Sequence, residues 1–109
     1  MDEIKKAIEQ IAAEEYERAN KKFPLFHSDH EGLAVIEEEM LETTVEWKMA
    51  EGRFNELKIS VFGNDEIEAI IDAQNIRDCA LHACAELIQV IAMCDKFIES
   101  KAKREAGEC

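Results

Sequence analysis

Residues 30–50 read HEGLAVIEEEMLETTVEWKMA, and this stretch decides the fold class. It shows no strand-like alternation of apolar and polar residues, and its apolar residues spread around much of a helix that has one acidic face. Ser28 is followed three residues later by Glu31, the spacing of a capping box, so the helix is expected to begin at about residue 29. The pattern predicts that it runs to at least Ala50.

The same stretch carries an acidic run whose members fall on one side of the helix. With about 100° of rotation per residue, one sector about 100° wide collects four carboxylates, those of Glu38, Glu39, Glu42 and Glu46. Like charges at helical spacing repel, at a cost of about 0.2–0.5 kcal/mol for each pair. Either water screens this face, as on most glutamate-rich helices, or a multivalent cation binds there.

Helices are also predicted on both sides of this one. Residues 2–22 place apolar residues at helical spacing, and the segment KKFPLFHS after them contains Pro24, which cannot donate a backbone hydrogen bond. We expect this segment to be a loop that folds onto the core through its apolar side chains, Phe23, Leu25 and Phe26.

The second half of the chain predicts a turn and then a further helical pattern. Gly63 and Asn64 form a plausible helix stop, and Asp65 can cap the segment that follows. A helix of about 40 residues is long for a small domain, so a break or bend is expected near Gln74 and Asn75. The sequence therefore predicts an all-α fold, a bundle of four to five helices with a frayed tail at residues 105–109.

Composition limits the class of function. A chain of 109 residues predicts a single domain over residues 1–109, and a formal charge of -12 argues against binding to a nucleic-acid backbone. No apolar run reaches the roughly 18 residues of a membrane span, and the acidic start lacks the features of a signal peptide. The four cysteines show no CxxC spacing, which favours a reducing, cytoplasmic location without membrane contact.

Glu86 gives a second indication of a site. It lies at the edge of a broad apolar stripe on the last predicted helix, where an unpaired carboxylate tends to take up a proton or bind a cation. If the two helices pack together, Glu86 and the acids of the 30–50 helix can converge on a hard cation such as Mg2+, which prefers oxygen ligands. A lysine partner for Glu86 is the alternative.

Two longer stretches resemble a known family. FPLFHSDHEGLAVIEEEMLE and CAELIQVIAMCDKFIE are similar to the all-α nucleotide pyrophosphohydrolases of the MazG-like superfamily, especially to small members from phage and prophage genomes. The resemblance covers residues 23–100, and the family signature is EExxE on one helix followed by ExxD on a later one. Residues 38–42 match EExxE, whereas residues 86–89 read ExxQ and no ExxD is present.

The resemblance implies a function and roles for particular residues. Members are helical bundles, usually dimers or larger oligomers, which hydrolyse nucleoside triphosphates to monophosphate and pyrophosphate with Mg2+. By resemblance the metal ligands are Glu39, Glu42 and Glu86, with Gln89 where the family has a carboxylate, and Glu38 is an auxiliary ligand or the base that orients water. Mn2+ can replace Mg2+. Lys96 is the candidate for binding the substrate phosphates, although an ordinary surface lysine is the alternative.

Several alternatives stay open at this point. Trp47 can stack on the nucleotide base, or it can pack in a core or an interface. Gln89 keeps an amide oxygen but loses a negative charge, which predicts weaker metal binding. The rival to an enzyme is therefore a non-catalytic oligomeric helical module, a homodimer or homotetramer that has lost the fourth carboxylate. An acidic protein that binds a basic partner is a third hypothesis.

Overall fold

Three long α-helices make up the computed structural model, which describes residues 1–22 and 25–107. They are α1 (Asp2–Lys22), α2 (Asp29–Phe62) and α3 (Glu66–Glu105). Within these described ranges there is no β-strand, so the all-α prediction is confirmed. Among the described helices, none combines the length and apolar character that a membrane crossing requires.

The helix boundaries follow from local hydrogen bonds that the sequence predicted. At the start of α2, Ser28 Oγ accepts from the backbone N–H of Glu31 at 3.1 Å, and the Glu31 carboxylate accepts from the His27 N–H at 3.3 Å. Asp65 Oδ1 caps α3 by accepting from the Glu68 N–H at 3.1 Å. Between α2 and α3, Asn64 adopts a φ of 56°, the left-handed conformation that ends many helices.

The number of helices differs from the prediction. No break occurs at Gln74 and Asn75, because α3 continues through both residues, and the described residues form three helices where four or five were expected. Neither residue lacks the backbone donor or clashes with the preceding turn as proline does, and each costs a helix interior less than about 0.7 kcal/mol. Length alone is therefore no reason for a break.

The loop before α2 folds onto the core at Phe26, which is 3% exposed. Phe26 also donates its backbone N–H to Ser100 Oγ on α3 at 2.9 Å, and this completely buried hydroxyl in turn donates to the Lys96 carbonyl at 2.6 Å. The predictions for Phe23 and Pro24 lie outside the described residues, as does the end of the predicted frayed tail, residues 108–109.

The chain divides into two compact units, and both α2 and α3 contribute residues to each unit. The first unit comprises residues 1–40 and 87–109. Its core contains Phe26, Ala92 and Met93, against which Tyr16, Ala19, Val35, Ile36 and Phe97 pack. At one end of this unit Asp29 contacts Lys101 and Arg104, whose hydrogen bonds hold the pKa of the Asp29 carboxyl below its usual value.

The second unit is the helical hairpin of residues 41–86. It buries only small or polar side chains among its described residues, namely Ala50, Ser60, Asp72 and Ala83. Ser60 Oγ donates a hydrogen bond of 2.6 Å to the buried Asp72 carboxylate and so links its two helices. Many of its large apolar side chains are exposed, including Trp47, Ile59, Phe62, Ile67 and Ile70.

Two glycines of α2 provide a matched test of packing in the first unit. A Cβ on Gly32 would lie 2.5 Å from Phe97 Cδ2 and 3.0 Å from Phe26 Cδ2, whereas a Cβ on Gly52 would meet nothing within 4 Å. Gly32→Ala is expected to destabilise the protein, since overpacking costs about 1–3 kcal/mol, more than the gain of about 1 kcal/mol in helix propensity. Gly52→Ala is expected to stabilise it by about 0.5–1 kcal/mol.

Urea denaturation gives the free energy of unfolding of both glycine variants and of the wild type. If Gly32→Ala stabilises the protein as much as Gly52→Ala does, then α2 does not depend on a close approach to Phe97.

Candidate functional site

Three of the predicted metal ligands come together. Glu39 and Glu42 are one turn apart on α2, and Glu86 is on α3. Each offers one carboxylate oxygen, and these oxygens all lie within 4.8 Å of one another. Glu39 and Glu86 are partly buried and Glu42 is exposed. Helical periodicity explains the pair on α2, while the apolar stripe beside Glu86 explains its partial burial.

The donor set suits a hard divalent cation. Mg2+ prefers oxygen ligands and uses only a few carboxylates, with water or phosphate oxygens completing its octahedron. Three carboxylates also concentrate negative charge in a small volume, and a bound divalent cation would neutralise part of it. The residues present therefore fit a magnesium site better than a zinc site, which favours Cys and His ligands.

The remaining predicted site residues are placed differently. Glu38, the candidate base or auxiliary ligand, is exposed on α2 and is not part of the group of three. Gln89 follows Glu86 by three residues on α3, and its Nε2 donates a hydrogen bond of 2.7 Å to Glu15 Oε1 on α1. Gln89 thus has a carboxylate partner that the sequence did not reveal.

A cavity of about 550 Å³ lies in the first unit. This volume is within the range of about 300–1,000 Å³ that is typical of small-molecule sites. Apolar walls come from Ala19, Phe26, Val35 and Met93, and polar groups come from His27, Glu31, Glu39, Gln89 and Lys96. Glu39 therefore belongs both to the carboxylate group and to the cavity wall.

Lys96 is the main cation of this cavity. Its side chain is only 4% exposed, and Nζ lies 4.7 Å from the centre of the Phe26 ring. Among the described residues no carboxylate lies within 4.0 Å of Nζ. Burial lowers the pKa of Lys96, and the negative charge of Glu31 partly opposes this effect. A buried ammonium without an ion pair is costly, so an anionic group in the cavity would be bound favourably.

No family model, curated protein or solved structure matches the chain.

Trp47 lies in the second unit and lines a smaller apolar cavity of about 200 Å³ together with Phe54 and Ile76. Its side chain is 57% exposed. Both interpretations of Trp47, base stacking and packing in an interface, stay predictions. An exposed indole among apolar neighbours is typical of an interface.

Sequence reasoning missed several residues of the first unit. Glu15 has acidic neighbours at Glu14 and Glu17 on α1, and nothing in their spacing distinguishes it. Glu31 was assigned only to the helix cap, yet it also lines the cavity. The sequence did contain an indication for Glu31. It caps a helix beside a loop that folds onto the core, so its side chain is expected near any cavity that this loop covers.

Proposed function

We propose that the chain is a Mg2+-dependent nucleoside triphosphate pyrophosphohydrolase of the MazG-like, phage or prophage type, which releases monophosphate and pyrophosphate. The observation that carries the proposal is the approach of the Glu39, Glu42 and Glu86 oxygens to within 4.8 Å of one another. They come from the two sequence motifs that resemble the family. Hard oxygen ligands at this separation can share one divalent ion.

The roles of the side chains follow from their positions. Glu39, Glu42 and Glu86 would hold Mg2+ or Mn2+, and Gln89 would add an amide oxygen. When bound, the ion supplies charge neutralisation at the phosphates and a more acidic water. Lys96 offers an ammonium group inside the cavity that Glu39 also lines, and it would bind a phosphate oxygen of the nucleotide. The exposed carboxylate of Glu38 would accept a proton from water.

A second copy of the chain is part of the proposal. The hairpin of residues 41–86 leaves large apolar side chains exposed, and two helices alone cannot enclose a core. Packing against the same surface of another copy would complete a bundle, as expected for a homodimer or homotetramer. A cytoplasmic location accompanies this proposal, as the free thiols Cys79, Cys84 and Cys94 suit a reducing compartment.

The second candidate is a non-catalytic oligomeric helical module. The observation that favours it is the hydrogen bond from Gln89 to Glu15, which gives Gln89 a structural role where the family has a metal carboxylate. Both candidates predict the same fold and self-association, so only chemistry separates them.

Pyrophosphate release over a panel of ribo- and deoxyribonucleoside triphosphates, with Mg2+ and with Mn2+, tests the proposal. We expect turnover that depends on the metal and stops with EDTA. Absence of turnover on every common triphosphate, from protein that is folded and binds neither ion, would favour the non-catalytic module.

A further inference from the structure

The amide of Gln89 has two chemically different ends. Its NH2 group only donates hydrogen bonds, and its oxygen only accepts them, whereas an ionised carboxylate only accepts. The carboxylate of Glu15 is paired with the guanidinium of Arg18, so it presents acceptor oxygens to Gln89. Glu15 therefore selects the NH2 end of Gln89. Rotating the amide by a half-turn would place two acceptor oxygens against each other.

Glu15 is itself held in place. Arg18 forms an ion pair with Glu15 Oε2, and its Nε donates to the same oxygen at 3.1 Å. The other oxygen, Oε1, accepts from Gln89 Nε2 at 2.7 Å. The two carboxylate oxygens thus have separate partners, and the one that faces Gln89 is Oε1.

The oxygen end of Gln89 has no such partner. Among the described residues none donates a hydrogen bond to Gln89 Oε1. Gln89 lines the same cavity as Glu39 and Lys96. An amide oxygen there attracts a hard cation, whereas the NH2 group in the same place would repel it.

We propose that Glu15 is a positioning residue that fixes the amide of Gln89 with its oxygen available to the metal. This inference rests on the proposed function and explains how a neutral residue can act at the fourth ligand position. An oriented amide replaces the lost carboxylate. The negative charge is supplied by Glu15, the hydrogen-bond partner of Gln89. Partners behind a ligand commonly set its orientation in this way.

The arrangement predicts the effect of Gln89→Asp. The new carboxylate, on a side chain one methylene shorter than that of Gln89, would lose the hydrogen bond to Glu15 and would still lie near the Glu15 carboxylate. Like charges so close cannot both ionise at little cost. Restoring the family carboxylate is therefore expected to require the second change Glu15→Gln, and Gln89→Asp alone is expected to bind metal poorly.

Mn2+ affinity tests the proposal without turnover. In Glu15→Lys the ammonium donates to Gln89 Oε1 and turns the NH2 group towards the cavity, so Mn2+ binding, measured by electron paramagnetic resonance, is expected to weaken by about 10-fold or more. Glu14→Lys is the matched control, since it makes the same charge change on α1 at an exposed residue whose hydrogen-bond partner within the described chain is Gln10. Equal weakening in both variants would overturn the proposal.

The side-chain amide signal of Gln89 in 15N–1H NMR spectra gives a second, metal-free measurement. The signal is assigned to Gln89 by its absence from the spectrum of Gln89→Met. We expect Glu15→Ala to shift this signal and speed its exchange with water, and Glu14→Ala to leave it unchanged. An amide signal insensitive to Glu15 would overturn the proposed orientation. If the amide responds as expected but the wild-type protein binds no Mn2+, then the proposed function fails, and Glu15 holds Gln89 for packing alone.

Discussion

Glu39→Gln is expected to lower Mg2+-dependent pyrophosphate release by about 100-fold or more, because the metal contributes several kcal/mol and about 1.4 kcal/mol corresponds to a factor of ten in rate. Glu39 is the one carboxylate of the group that also lines the cavity. The amide keeps the size of the side chain but removes its charge, so the loss reports on the metal rather than on packing. Initial rates of pyrophosphate release at several Mg2+ concentrations measure it.

Glu37→Gln is the matched control for this prediction. Glu37 is exposed on the same helix, close to Glu39 in the chain, and does not belong to the group of three. The same charge is removed, so any general effect of net charge on Mg2+ attraction appears in both variants. We expect Glu37→Gln to keep nearly full activity. Equal losses in the two variants would place the metal elsewhere or remove the assigned role of Glu39.

Helical periodicity predicted more of the candidate site on α2 than on α3. The rotation per residue fixes which acids share a face of one helix, so the approach of Glu39 and Glu42 could be predicted from their spacing alone. The convergence of Glu86 required a further assumption, that its apolar stripe packs towards α2. One carboxylate oxygen of Glu86 does lie within 4.8 Å of those of Glu39 and Glu42.

The features that sequence reasoning missed depend on contacts between segments far apart in the chain. The hydrogen bond from Gln89 to Glu15 and the one from Phe26 to Ser100 each join residues 74 positions apart. Local patterns contain no information about which of several similar acids or serines will be the partner. The continuity of α3 was missed for another reason, since a typical helix length is a statistical expectation, whereas the end of a helix depends on the residues at that position.

Lys96→Met is the second large expected effect. Lys96 is 4% exposed and has no ion pair within the described chain, so its ammonium group is held in the cavity at a cost in stability. If it binds a substrate phosphate, its loss is expected to raise KM by about 10- to 100-fold, because a hydrogen bond to a charged group is worth about 1.5–3 kcal/mol. Steady-state kinetics with the best triphosphate measures the change.

The same variant is expected to be more stable than the wild type at neutral pH. Burial lowers the pKa of Lys96 in the folded state, so the folded protein binds its proton less readily than the unfolded chain does. The destabilisation is complete below the folded pKa, and it fades as the pH rises towards the ordinary lysine value of 10.5. The advantage of Lys96→Met in the free energy of unfolding is therefore expected to be larger at pH 7 than at pH 10.

Lys58→Met is the control for both Lys96 measurements. Lys58 also lies over a phenylalanine ring, with Nζ 5.0 Å from the centre of Phe54, but it is exposed on the second unit. We expect its replacement to leave KM unchanged and to give no comparable gain in stability, because its side chain is exposed. If Lys96→Met is more stable than the wild type but has the same KM, then the buried charge of Lys96 does not serve substrate binding. The phosphate role of Lys96 would then be wrong. Lys96→Met is expected to show both higher stability and a raised KM if Lys96 is a binding residue, since residues that serve a functional site commonly lower the stability of the fold.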